Sequence, residues 1–176
     1  MANEHQRSGI RAYLLPLHFD DGTPNATCLF NQNQVVEILG PRPVQRIPCS
    51  PAYLQGVIAY HDELLPVIDL DALCGRGLSH RPEQNRQLMV IRTGTLDPCT
   101  DTPLKAVIAS SVRIQITKIA GQELAEGFMP QEMPSTLRRS GLVRGFFQRH
   151  NQPVVLLDLN PVVLGVFGKS SEERCH

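Results

Sequence analysis

Apolar positions along the chain fall in short runs and in two-residue alternation, the period of strands rather than of amphipathic helices. "IRAYLLPLHF" (10–19) is a β-prone run closed by the turn-rich "DDGTPN". "ATCLFNQNQVVEIL" (26–39), interrupted by Asn31, Gln32, Asn33 and Gln34, predicts two short strands, or a strand and a bulge. "PVQRIP" (43–48) predicts a brief strand bounded by prolines. "YLQGVIAY" and "LLPVIDL" flank "HDE" with the spacing of a hairpin. "DALCGRG" predicts one helical turn stopped by Gly75. "RQLMVIR" (86–92) and "LKAVIASSVRIQIT" (104–117), rich in Val and Ile, predict further strands across the turn-rich connector "TGTLDPCTDTP". Residues 121–140, broken by Pro130 and Pro134, predict a long exposed loop. "LVRGFFQR" and "PVVLLDL" predict another hairpin around His150 and Asn151. "NPVVLG" predicts a short helix with Asn160 as N-cap and Pro161 in its first position.

The two hairpins are copies of one pattern. Placing Gly56 over Gly145, an offset of 89, places His61 over His150, Asp69 over Asp158 and Leu70 over Leu159 without a gap. Val57, Ile58, Val67 and Ile68 then meet Phe146, Phe147, Leu156 and Leu157. One supersecondary unit that ends in Asp-Leu and turns into a helix occurs twice, which predicts two similar β lobes. Each aspartate stands where a buried strand turns toward a helix, where a carboxylate accepts backbone N–H bonds. The glycines suit a bend or a close backbone approach. The histidines fall at hairpin tips, where a solvated turn residue is the simplest reading.

Composition narrows the function. The 176 residues are 41% hydrophobic, enough for a core, and suit one domain, placed at 8–168 with flexible tails at 1–7 and 169–176. The formal charge is zero, which removes the basic field that draws nucleic acid. Aromatics are 5% and Trp is absent, which argues against stacking platforms for single strands. Five widely spaced cysteines without a CxxC read as reduced thiols of a cytoplasmic protein, with no zinc site. The N-terminus shows no secretory pattern and no apolar run reaches membrane-spanning length.

Candidate chemistry is sparse. None of the six histidines stands at metal-ligand spacing, and no nucleophile or phosphate-loop motif occurs, so no catalytic residue, cofactor or metal is expected. Arg138, Arg139, Arg144 and Arg149 suit the rim of a protein-binding surface, or a solvated strand face. The turn His61-Asp62-Glu63 leaves open a small β-barrel ligand-binding or enzymatic module.

Residues 35–75 carry a resemblance. Val35, Glu37 and Ile38, then Ile47, Pro51, Tyr53, Leu54, Gly56 and Val57, then Pro66, Val67, Ile68, Asp69 and Leu70, match in order the pattern of CheW-like coupling domains of bacterial chemosensory signalling. Gly145, Val155, Leu156, Leu157, Asp158 and Leu159 resemble that family's closing segment. The resemblance implies a mainly β fold of two five-stranded SH3-like barrel lobes packed together, with short helices. It implies a non-enzymatic adaptor, monomeric within a larger cytoplasmic array, without nucleic-acid binding or membrane insertion. Its partners would be the regulatory domain of a CheA-type histidine kinase and the cytoplasmic tip of a chemoreceptor, the latter held in the groove between lobes. One partner surface is expected at Glu37, Ile38 and the His61-Asp62-Glu63 turn, and an apolar groove at Val36, Gly56 and Ile58. The chain departs from the pattern at Ala59-Tyr60-His61-Asp62, where the family has Asn-Leu-Arg-Gly. Histidine cannot supply a bidentate Arg–carboxylate contact there. This is similar to divergent members that serve type IV pilus or other alternative systems.

Overall fold

The two hairpins repeat in three dimensions down to single hydrogen bonds. A computed structural model describes residues 9–18, 26–75, 86–110, 112–120, 123–126, 137–138, 140–165 and 167. The elements are β1 (Ile10–Leu17), β2 (Ala26–Asn31), β3 (Val35–Leu39), β4 (Leu54–Tyr60), β5 (Glu63–Asp69), α1 (Leu70–Leu73), β6 (Gln87–Leu96), β7 (Pro103–Ser110), β8 (Gln115–Ile119), β9 (Ala125–Glu126), β10 (Val143–Arg149), β11 (Gln152–Leu157) and α2 (Asn160–Val163). In β4–β5, Leu54 pairs with Ile68 and Gly56 with Val67 across a bulge. In β10–β11, Val143 pairs with Leu157 and Gly145 with Leu156 across the same bulge. Each of these pairs is the other shifted by 89. The Asp69 N–H donates to Tyr53 and the Asp158 N–H to Leu142, again the same bond.

The repeat extends to whole sheets. One sheet has the order β3-β6-β7-β5-β4 and the other β8-β1-β2-β11-β10-β9. Every neighbouring pair is antiparallel except β5 with β7 and β11 with β2, which are parallel. Matching β3 to β8, β6 to β1, β7 to β2, β5 to β11 and β4 to β10 therefore superimposes the two topologies. The first is a contiguous lobe, residues 35–110. The second is a split lobe whose first and last strands come from opposite parts of the chain. The brief strand expected at 43–48 shrinks to one bridge, Gln45 with Val57, because prolines on both sides remove ladder donors. It stands where β9 stands in the split lobe.

The contiguous sheet curls until its end strands meet. In the contiguous lobe the Tyr60 hydroxyl, at the end of β4, donates to Glu37 Oε2 on β3 at 2.9 Å. Its counterpart 89 residues on, Arg149, donates from Nε and Nη2 to Glu123 Oε2, at 3.3 and 3.2 Å. The tip of the second hairpin is thus tied, by a guanidinium rather than a phenol, to the segment between β8 and β9.

Strands read as continuous apolar runs because both faces are covered. On β6, Leu88 and Val90 point into a core of the contiguous lobe while Met89 and Ile91 point into a larger core. That larger core takes Leu15, Leu17, Cys28 and Phe30 from the split lobe and Ile68, Ile108 and Leu70 from the contiguous lobe. It is the interface that joins the lobes. The split lobe's own core is small, built on Ala12, Leu14 and Ile119.

Three local expectations change. "LKAVIASSVRIQIT" is two strands in different lobes, β7 and β8. The expected loop 121–140 supplies β9 and the fully buried Leu137, an anchor in the shared core, although residues 127–136 lie outside the described set. Asn160 is not the N-cap of α2. Leu159 holds that position, and the Asn160 amide oxygen instead accepts from Gly94 N–H at 3.0 Å and Thr95 Oγ1 at 3.1 Å. The expected tails also lie outside the described residues.

Candidate functional site

The residues expected to meet partners gather on the contiguous lobe. Val36 stands at the β3 bulge, 36% exposed, because the register shift between Val35 and Glu37 turns it outward. Glu37 beside it is exposed and Ile38 half-buried against the shared core. The Glu37–Tyr60 hydrogen bond brings β3 to the tip of β4–β5. There the Tyr60 ring meets the His61 ring edge-on at 4.4 Å. Burial and then the Glu37 bond push the Tyr60 phenol up, so it stays protonated and donates. His61, Asp62 and Glu63 are all exposed at the two-residue turn. His61 holds a φ of 51°, a conformation that histidine tolerates better than most residues. Glu63 accepts from Lys105 Nζ at 2.6 Å.

Two of the expected residues lie beneath this surface. Ile58 is 3% exposed and packs in the contiguous-lobe core. Gly56 is buried, at φ 147°, with the carbonyl of Gln45 so near that a Cβ would come within 2.2 Å of it. Val36, Gly56 and Ile58 therefore do not line one open groove.

A groove does exist between the lobes, with a volume of about 360 Å³. Gln34 lines it from the β2–β3 turn and Arg92 from the contiguous lobe; Phe30, Arg144, Asp158 and Asn160 line it from the split lobe. Its floor is hydrogen-bonded. Asp158 Oδ1 accepts from the Asn160 backbone N–H at 2.9 Å and Asn160 Nδ2 at 2.6 Å, and Oδ2 accepts from Arg144 Nη2 at 2.6 Å. Burial opposes the Asp158 charge, but Arg144 and Asn160 hold its carboxyl below the usual carboxylate range. The equivalent Asp69 caps α1 through Ala72 N–H and accepts from Gln55 Nε2, so Gln55 and Arg144 occupy the same place in the repeat. Both aspartates thus do the structural work expected of them.

Arg144 and Arg149, expected at a protein-binding rim or on a solvated strand face, each hold a carboxylate of their own chain. Sequence reasoning missed the groove residues Arg92 and Asn160, because Asn160 reaches β6 only once the lobes pack. It also missed the contact of His18 with Asp71, 53 positions away, which joins the end of β1 to α1. Among the described residues no group of three His, Cys, Asp or Glu side chains could hold a metal. None of the helices there is long and apolar enough to cross a membrane.

Comparison with known proteins agrees with this architecture. No curated protein matches the sequence. The structure is similar to that of the scaffolding protein TtCheW from Thermoanaerobacter tengcongensis, at a TM-score of 0.64 and 14% identity over 92% of each chain. At that identity the likeness speaks for the fold. The family model of the CheW-like domain matches residues 23–164, most of the chain and strands of both lobes, so the chain belongs to the CheW-like domain family.

Proposed function

We propose that the chain is a non-enzymatic chemosensory adaptor that couples a chemoreceptor to a CheA-type histidine kinase. The observation that carries this reading is the surface of the contiguous lobe, where exposed Val36 and Glu37 are joined through Tyr60 to the exposed 61–63 turn. An apolar anchor beside fixed charges is the composition of a small protein-binding hot spot. Val36, Glu37, Ile38, His61, Asp62 and Glu63 touch the kinase regulatory domain. Gly56 and Ile58 act from below by holding β4 in place. The inter-lobe groove receives the helical tip of the receptor, with Arg92 and the Arg144–Asp158 pair at its wall. The adaptor works in the cytoplasm, at receptor arrays.

Calorimetric titration of the protein with the regulatory domain of a CheA-type kinase from the same organism tests the reading. Saturable micromolar binding is expected, weakened at least about tenfold by Glu37→Lys, since a reversed charge at the rim of an anchor costs on the order of 1.4 kcal/mol. His61→Arg restores the family's side chain and is expected to tighten binding. No heat with either protein, or a Glu37→Lys variant that binds like wild type, removes this surface.

A further inference from the structure

We propose that the outer face of β1 and β8, on the split lobe, binds an acidic peptide segment that carries an apolar side chain next to its carboxylate. The register places Arg11 directly opposite Lys118, and Tyr13 opposite Ile116. Residues two apart on a strand share a face, so the exposed Arg11, Lys118 and Ile116 form one patch around Tyr13, which is half-buried against the shared core. Two cations opposite each other repel, and a sheet normally avoids that arrangement or neutralises it. The contiguous lobe shows the neutralised form. Its cross-strand cations Arg92 and Lys105 are also directly opposite, and Glu63 stands on Lys105 at 2.6 Å. Arg11 and Lys118 have no such carboxylate among the described residues.

The surroundings suit an anion. Arg11 and Lys118 share a depression of about 510 Å³ with Asn31, Gln32 and Asn33, whose amides can donate, and no carboxylate among the described residues lines it. Next to it Ile116 is 56% exposed, a large apolar side chain between the polar Gln115 and Thr117. Ile116 and Lys118 lie about 7 Å apart along the strand. An extended peptide with an apolar residue at one position and Glu or Asp two positions later matches that spacing. Its carboxylate enters between the two cations, and its apolar side chain covers Ile116. The same cations disfavour a second copy of this face, which gives the site selectivity by charge.

Fluorescence anisotropy with labelled Ser-Ile-Ser-Glu-Ser-Ile-Ser-Glu-Ser tests the proposal at low salt. Saturable binding is expected, lost at least tenfold with the Glu→Gln peptide and at least tenfold with Lys118→Glu. Lys118→Glu also removes the repulsion with Arg11, so its melting temperature stays equal to or above wild type while binding falls. A patch with a merely structural role would move both readings together. Failure to saturate by 1 mM peptide, equal binding of the Gln peptide, or full binding by Lys118→Glu overturns the proposal. Capture by phosphatidylserine vesicles without peptide binding also overturns it, in favour of a membrane surface.

Discussion

Replacing Gly56 and Gly145 in turn by alanine sets the repeat against its own differences. The two glycines occupy the same bulge in the same hairpin, 89 residues apart. A Cβ on Gly56 would stand 2.2 Å from the Gln45 carbonyl oxygen and 2.8 Å from its carbon, both backbone atoms. The φ of 147° adds strain for any L side chain. Relief requires moving the 41–51 segment and losing both hydrogen bonds between Gln45 and Val57, each 2.9 Å. Two such bonds contribute about 1–3 kcal/mol together, and the unfavourable φ costs about 1–3 kcal/mol. Gly56→Ala is therefore expected to destabilise by about 2–6 kcal/mol, a large share of the roughly 5–15 kcal/mol that holds a domain together. At Gly145 the nearest atom is Cε2 of the half-buried Phe147, at 2.9 Å, and φ is ordinary. A ring can tilt where a backbone cannot, so Gly145→Ala should cost about 1 kcal/mol. Urea unfolding followed by circular dichroism measures both. Trypsin cleavage at Arg46 should accelerate only in Gly56→Ala. Equal costs for the two variants, or a Gly56→Ala cost under 1 kcal/mol, would refute the argument that the Gln45 approach requires glycine.

Three further outcomes follow from the packing. Ile58→Ala should lose about 2–5 kcal/mol of stability, whereas Val36→Lys should stay within about 0.5 kcal/mol yet weaken kinase binding; urea midpoints and calorimetry on both variants separate support from contact. Arg144→Gln should cost about 0.5–1 kcal/mol at pH 7, a small value because the guanidinium is 65% exposed. Because Asp158 is held below its unfolded pKa of about 3.9, that difference is present above this pH and closes as pH falls through the folded value; a gap unchanged at pH 2 contradicts the pairing. Cys49 and Cys99 are exposed, while burial pushes Cys74 up to about 12 and Cys28 further still. Iodoacetamide at pH 8 with peptide mapping should alkylate the first two at least about a thousandfold faster than the buried pair.

The hairpins were legible because a bulge, a turn and a capping aspartate leave local marks that survive duplication. "GVIAYHDELLPVIDL" and its counterpart hold their register, turn and Asp–helix junction within 15 residues. The rest depends on contacts that no local pattern records. β11 lies parallel to β2, with Val155 beside Cys28, and no spacing in the sequence announces that pairing. Leu137 looks like a loop residue until the lobes close over it. The alternation of β4 shows that Ile58 and Val57 face opposite ways, but which side is solvent follows only from the curl of the sheet. Glu37 and the 61–63 turn stand close in the fold through the Tyr60 hydroxyl, a link that no spacing in the sequence announces. Arg92 carries no motif at all and comes to line the same groove as Asp158 only through the packing of two lobes; the same packing brings Asn160, two residues from Asp158, to Gly94 and Thr95.

The split of one lobe around the other dictates an order of assembly. Residues 35–110 contain every strand of the contiguous lobe, so that lobe can close while the remainder of the chain is still being synthesised. β1 and β2 precede that lobe in the chain and pair with each other, but their other partners come last. β1 waits for β8 and β2 for β11, across a separation of 127 residues between Thr27 and Val154. Closure of so long a loop is slow, and the split lobe's small core gives little early reward for it. During that interval Leu15, Leu17, Cys28 and Phe30 have only the contiguous lobe's half of the shared core to rest on. The finished lobe thus serves as a template for the unfinished one, and a nascent chain halted before β8 carries one folded lobe and an exposed apolar hairpin.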